Sequence, residues 1–128
     1  MIIRPRPRRI LLVEHDPSMA RIVARELGRH HRVYVASSIA AAMRKMSVAG
    51  GPVVDVVVSA YRLRGETGLK LLAIFARRWP YIRRLLYTDS EQIPARADKL
   101  TDAVIQLPGT FDDLLRAIEH APQPETRS

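Results

Sequence analysis

The chain has 128 residues, 47% of them hydrophobic and 27% charged, with a formal net charge of +8. That length allows one domain with a sizeable core, and the composition suits a globular rather than a disordered chain. Cysteine is absent, which excludes disulfides, thiolate nucleophiles and cysteine-ligated metals. No apolar run approaches the roughly 20 residues of a membrane-spanning helix. Ile10-Leu11-Leu12-Val13 is too short for the core of about 7–15 residues of a secretion signal. A cytoplasmic location without a membrane partner is the expectation.

The chain opens on Arg4, Arg6, Arg8 and Arg9, with Pro5 and Pro7 between them. Alternating proline favours an extended backbone, so residues 1–8 read as a basic arm. Residues 9–121 read as the domain, and residues 122–128, with Pro122 and Pro124, as a flexible tail. Four arginines so close together are candidate contacts for nucleic-acid phosphates, and a solvated leader is the plainer reading. No aromatic residue is interleaved with them, so base stacking is not suggested.

Strand and helix signals then alternate. Arg9 to Val13 is a short apolar run suited to a buried parallel strand. Asp16-Pro17 supplies an N-cap and a proline at the first helical position. Met19, Ile22, Val23 and Leu27 follow at helical spacing, and Gly28 closes that helix. Val33 to Val35 reads as a second strand. Ser37 or Ser38 caps a helix bearing Ile39, Met43 and Met46, which Gly50-Gly51-Pro52 ends. Valine-rich Val53 to Ser59 reads as the central strand, covered on both faces. A third helix spans about Leu69 to Arg78, with Leu71, Leu72 and Phe75 on its apolar side, and Trp79-Pro80 stops it.

Ile82 to Tyr87 forms a fourth strand. Asp89 to Asp102 carries Pro94 and few repeating apolar residues, so a fourth helix there is expected to be shortened or irregular. Ala103 to Leu107 is a fifth strand. Thr110 caps a last helix from Phe111 to His120, with Leu114, Leu115 and Ile118 inward. Strands and helices alternating at this length imply an α/β fold, a five-stranded parallel sheet with helices on both faces. In such sheets ligands bind beyond the carboxyl ends of the strands. That singles out Glu14, His15, Asp16, Ala60, Thr88 and Leu107.

The residues at those ends, together with Val53 to Leu69, resemble the response-regulator receiver (CheY-like) family, whose fold is the doubly wound (βα)5, flavodoxin-like sheet. The resemblance runs from Arg9 to about His120. In that family paired acids hold a divalent cation, an aspartate accepts the phosphoryl group, and a hydroxyl and a lysine neutralise its oxygens. Glu14 matches the first acid and His15 replaces the second, with Asp16 one place further on. Ala60 stands at the phosphoacceptor, Thr88 matches the hydroxyl, and Leu107 before Pro108 replaces the lysine. Val104 sits at the switch position, where an aromatic residue is expected. The resemblance therefore implies a degenerate pseudo-receiver. Without a nucleophile there is nowhere for the covalent bond to form, and the loss of the ammonium and one acid removes the charge that stabilises transferred phosphate.

No enzyme activity, cofactor or metal site is expected. Glu14, His15 and Asp16 are adjacent, so at most two converge. His30-His31 is expected to be an exposed pair at a turn. Ser59 and Tyr61 lack a neighbouring base, and Gly65 and Gly68 belong to the loop after the third strand, not to a phosphate-binding loop. The leading expectation is a phosphorylation-independent module of two-component-type signalling. It would bind a signalling protein through the fourth-helix, fifth-strand and fifth-helix face, with Ala103, Val104, Ile105, Gln106, Phe111 and Arg116 as its surface. A homodimer is compatible with that face. The second expectation is a nucleic-acid-binding regulator that contacts phosphates through Arg4, Arg6, Arg8 and Arg9, supported by the pairs Arg77-Arg78 and Arg83-Arg84.

Overall fold

The computed structural model describes residues 6–48, 51, 53–89, 93–107 and 111–119. Its strands and helices alternate: β1 Arg9–Val13, α1 Pro17–Leu27, β2 Arg32–Ala36, α2 Ile39–Ser47, β3 Val56–Ala60, a hairpin of β4 Arg62–Leu63 and β5 Glu66–Thr67, α3 Gly68–Arg78, β6 Arg83–Thr88, α4 Ala97–Leu100, β7 Ala103–Gln106 and α5 Phe111–Glu119. Five strands form one parallel sheet in the order β2-β1-β3-β6-β7. The expected doubly wound α/β architecture is thus the observed one.

Local chemistry accounts for most element ends. Asp16 is the N-cap of α1, accepting from the Ser18 N–H at 3.0 Å, with Pro17 opening the helix. Of the two candidate serines, Ser38 caps α2, accepting from the Ala41 N–H at 3.0 Å. All five residues of β3 are buried, as a strand covered on both faces requires. β3 begins at Val56 rather than Val53 because Asp55 turns its carboxylate to β1. Its Oδ2 accepts from the Arg9 N–H at 2.8 Å, and its own N–H donates to the Arg9 carbonyl at 2.8 Å. Thr110 and His120, expected as cap and end of the last helix, lie outside the described residues.

The core is formed by the sheet and the inward faces of the helices, with Val23 and Leu27 of α1, Leu71, Leu72 and Phe75 of α3, and Leu114 and Ile118 of α5 buried. Ile22, at helical spacing with the buried Val23 and Leu27, is 51% exposed. Leu115 is half-buried at the edge of the core. The fourth helix is a single four-residue turn, as the Pro94 region implied.

The β4–β5 hairpin is absent from the sequence reading. It directly follows β3, and Gly65 turns it with φ +73, a backbone region that glycine alone enters without strain. Glu66 ties it to α2, its Oε2 accepting from the Ile39 N–H at 3.4 Å.

The expected exposed histidine pair is also corrected. His30 is exposed, but His31 is buried. Its Nδ1 accepts from the Arg8 N–H at 2.9 Å, and Nε2 lies 3.6 Å from the Glu119 carboxylate at the end of α5. Burial is the main influence on the imidazole and lowers its pKa from the ordinary 6.5; Glu119 opposes that, while His30 and Arg8 reinforce it. Arg8 is also joined to the sheet, its carbonyl accepting from the Arg32 N–H at 2.9 Å.

Candidate functional site

The carboxyl ends of β1, β3, β6 and β7 converge. Glu14 follows β1, Ala60 ends β3, Thr88 ends β6 and Leu107 follows β7. All four are buried. Backbone bonds hold this edge level: the Tyr61 N–H donates to the Tyr87 carbonyl, and the Leu107 N–H to the Thr88 carbonyl, both at 2.8 Å. Of the six residues singled out, the structure brings all together around one cavity of about 420 Å³, which Met19, Ile22, Tyr61, Arg62, Tyr87, Asp89 and Phe111 also line.

The acids in this cavity play different parts. Glu14 is only 5% exposed, and both its oxygens accept hydrogen bonds, Oε1 from the Tyr87 hydroxyl at 2.6 Å and Oε2 from the Asp16 N–H at 3.0 Å. The Asp16 carboxylate is turned to the first turn of α1 as its cap. No group of three or more metal-ligating side chains occurs among the described residues. Burial, then the bond and charge of Glu14, raise the Tyr87 phenol well above its ordinary pKa, so it is a protonated donor at every ordinary pH.

Ala60 ends β3 in a methyl group and lines the cavity together with Leu107. The Ser59 hydroxyl is fully buried and bonded to the Ala60 carbonyl at 2.9 Å. A methyl group added at Gly68 would come within 2.2 Å of that same carbonyl, so the N-terminus of α3 packs directly onto the end of β3.

Tyr87 is the residue that sequence reasoning missed. It read only as the end of a strand, and its bond to Glu14 joins positions 73 apart in the chain, which no local spacing signals.

On the expected interaction face, Ala103 and Val104 are half-buried and Gln106 and Arg116 are exposed. Ile105 is corrected: it is 5% exposed and pairs in register with Tyr87 inside the sheet. Val104, expected at the switch position, is in register with Leu86. Phe111 is half-buried and turned to the cavity. Arg116 is paired with Asp113 at 2.7 Å.

At the opposite end of the sheet, Arg6, Arg8, Arg9 and Arg32 line a groove with Asp55; Arg4 lies outside the described residues. Arg9 is paired with Asp55 at 3.3 Å. Arg83 and Arg84 are half-buried: Arg83 Nε donates to the Ala117 carbonyl and Arg84 Nε to the Leu100 carbonyl. That pair is structural, tying β6 to α5 and α4, and adds little to a nucleic-acid surface. No helix among the described residues is long and apolar enough to cross a membrane.

No protein-family model matches the sequence, and no curated protein does. Solved structures do match. The signal receiver domain of an HD domain-containing protein from Pseudomonas fluorescens superposes with a TM-score of 0.79 at 23% identity, over 91% of this chain and 94% of that one. The response regulator TrrA from Thermotoga maritima, in complex with Mg2+ and BeF, gives 0.77 at 18% identity, over 87% and 96%. The non-phosphorylated HemR receiver domain from Leptospira biflexa gives 0.72 at 25% identity, over 88% and 91%. These superpositions lead to one conclusion: the chain has the fold of a response-regulator receiver (CheY-like) domain.

Proposed function

We propose that this chain is a signalling module of the two-component type that works without aspartyl phosphorylation, by binding a protein partner, and that it is not an enzyme. The observation that carries the reading is Ala60, a methyl group at the end of the central strand where a receiver domain needs a carboxylate. Its surroundings support the same reading. Leu107 puts an apolar side chain where an ammonium would neutralise phosphate, and Tyr87 and the Asp16 N–H engage both oxygens of Glu14, leaving no open carboxylate pair for a divalent cation. The partner face is that of α4, β7 and α5, with Ala103, Val104, Gln106 and Arg116 accessible or partly so.

The test is incubation with a small phosphodonor and magnesium, read by intact mass. No phosphoryl adduct is expected on the native chain or on Ala60→Asp, because Leu107 and His15 remain. An acid-labile adduct on Ala60→Asp would show that the pocket retains its chemistry.

A second reading rests on the groove of Arg6, Arg8, Arg9 and Arg32: a regulator that binds nucleic-acid phosphates. Anisotropy of a labelled DNA duplex tests it at low and physiological salt. Binding that survives physiological salt favours this reading, and binding that vanishes leaves the protein partner.

A further inference from the structure

A buried charge is stable only when it is paired. Glu14 lines the cavity and is buried, yet it takes part in no ion pair among the described residues. Its two donors, a phenol and a backbone N–H, are both neutral. Both of its oxygens act as acceptors, as those of a carboxylate do. Two further acids, Asp16 and Asp89, line the same cavity, together with Arg62 and His15.

The walls have a different character. Met19, Ile22, Ala60 and Leu107 supply apolar side chains, and the aromatic residues Tyr61 and Phe111 also line the cavity. Rings of this kind attract an organic cation through their negative faces. A volume of about 420 Å³ lies within the range of about 300–1,000 Å³ usual for small-molecule sites. The exposed side chain of Ile22, on a helix whose other long apolar residues turn inward, stands at this mouth.

We propose that the cavity is a binding site for a small organic cation, an ammonium or amidinium group on an apolar body, with Glu14 as its counter-charge and Leu107 and Phe111 against its apolar part. Ala60 and Leu107 then have a positive role: they clear and line space that a carboxylate and a lysine would fill. Of the residues expected on the α4–β7–α5 face only Phe111 lines this cavity, so the site goes beyond the partner reading. It rests only on the cavity's holding no phosphoryl group.

The experiment is a titration of the full chain, followed by amide NMR, with benzamidine, 2-phenylethylamine and tryptamine. Each is paired with a neutral counterpart: benzamide, 2-phenylethanol and indole-3-ethanol. Magnesium chloride is titrated separately. At least one amine is expected to give saturable shifts at Glu14, Asp16, Ala60 and Thr88, binding about tenfold or more tightly than its neutral counterpart, a difference of about 1.4 kcal/mol. Glu14→Gln should erase that preference. Leu107→Lys, which supplies an internal ammonium, should abolish amine binding, and it carries the test if Glu14→Gln does not fold.

Equal binding of charged and neutral probes would overturn the charge argument. The absence of saturable shifts at those amides with every amine would overturn the site. Magnesium binding there that displaces the amines would make it an inorganic cation site instead. Phosphorylation in the mass assay would sink the phosphorylation-independent reading by a different readout, so the two failures are distinguishable.

Discussion

At the scale of single residues, His31 and Gly68 show how far a local reading reaches. A histidine pair after a helix reads as exposed, yet His31 is enclosed between Arg8 and Glu119. Its folded pKa is lowered, chiefly by burial, so the unfolded chain takes up the proton first as pH falls. The contribution of His31 is therefore complete above its ordinary 6.5 and is lost as pH drops below that value. Urea midpoints measured at about pH 7.5 and 5.5 should fall toward acid, and His31→Gln, which keeps an acceptor for Arg8 but does not titrate, should fall less. An equal fall in both proteins would place the titration elsewhere. Gly68 is tight for another reason. Gly68→Ala would press a methyl group onto the Ala60 carbonyl at 2.2 Å, and overpacking of this kind costs roughly 1–3 kcal/mol. A denaturation midpoint unchanged by Gly68→Ala would show that α3 can shift to make room.

At the scale of elements, caps and periodicity were legible in the sequence, and pairing across elements was not. Asp16-Pro17 and the Ser37-Ser38 pair announced α1 and α2 because capping depends on positions only two or three residues apart. Asp16→Ala should cost about 1 kcal/mol in unfolding free energy through loss of that cap. Phe75 of α3 is fully buried and rests against Trp79, ring centroids 4.8 Å apart; Phe75→Ala should cost roughly 3–5 kcal/mol in the same measurement. A loss below 1 kcal/mol would mean that α3 collapses onto the vacated space. The β4–β5 hairpin escaped the sequence reading because its strands are two residues each, too short for period-two alternation to register. Gly65 was its one local sign. The late start of β3 has a similar origin: Asp55 leaves the valine run because Arg9, distant in the chain, holds its carboxylate.

At the scale of the whole molecule, the fold sorts charge. The strand starts collect Arg9, Arg32, Arg83 and Arg84 at one end of the sheet, while Glu14, Asp16 and Asp89 border the cavity at the other. Much of the basic end is already engaged with Asp55, Asp102 and helix carbonyls. The net charge of +8 therefore overstates what is available to a polyanion, and DNA binding should weaken steeply with salt. Anisotropy that is indifferent to salt would contradict this.

The sequence alone determined the alternation of strands and helices, the parallel sheet it implies, the shortness of the fourth helix, and the presence of Ala60 and Leu107 at strand ends that border the cavity. These are matters of side-chain identity and of spacing within one element, where a few residues suffice. Only the tertiary structure decided that Tyr87 holds Glu14, that His31 is buried under Arg8, and that Asp55 is bound to Arg9, contacts spanning 73, 23 and 46 positions. It also turned Ile105 inward and brought Met19, Ala60 and Leu107 to the same cavity as Glu14. Such contacts depend on how elements dock, because burial and electrostatics act through space between segments whose separation along the chain carries no signal of their meeting.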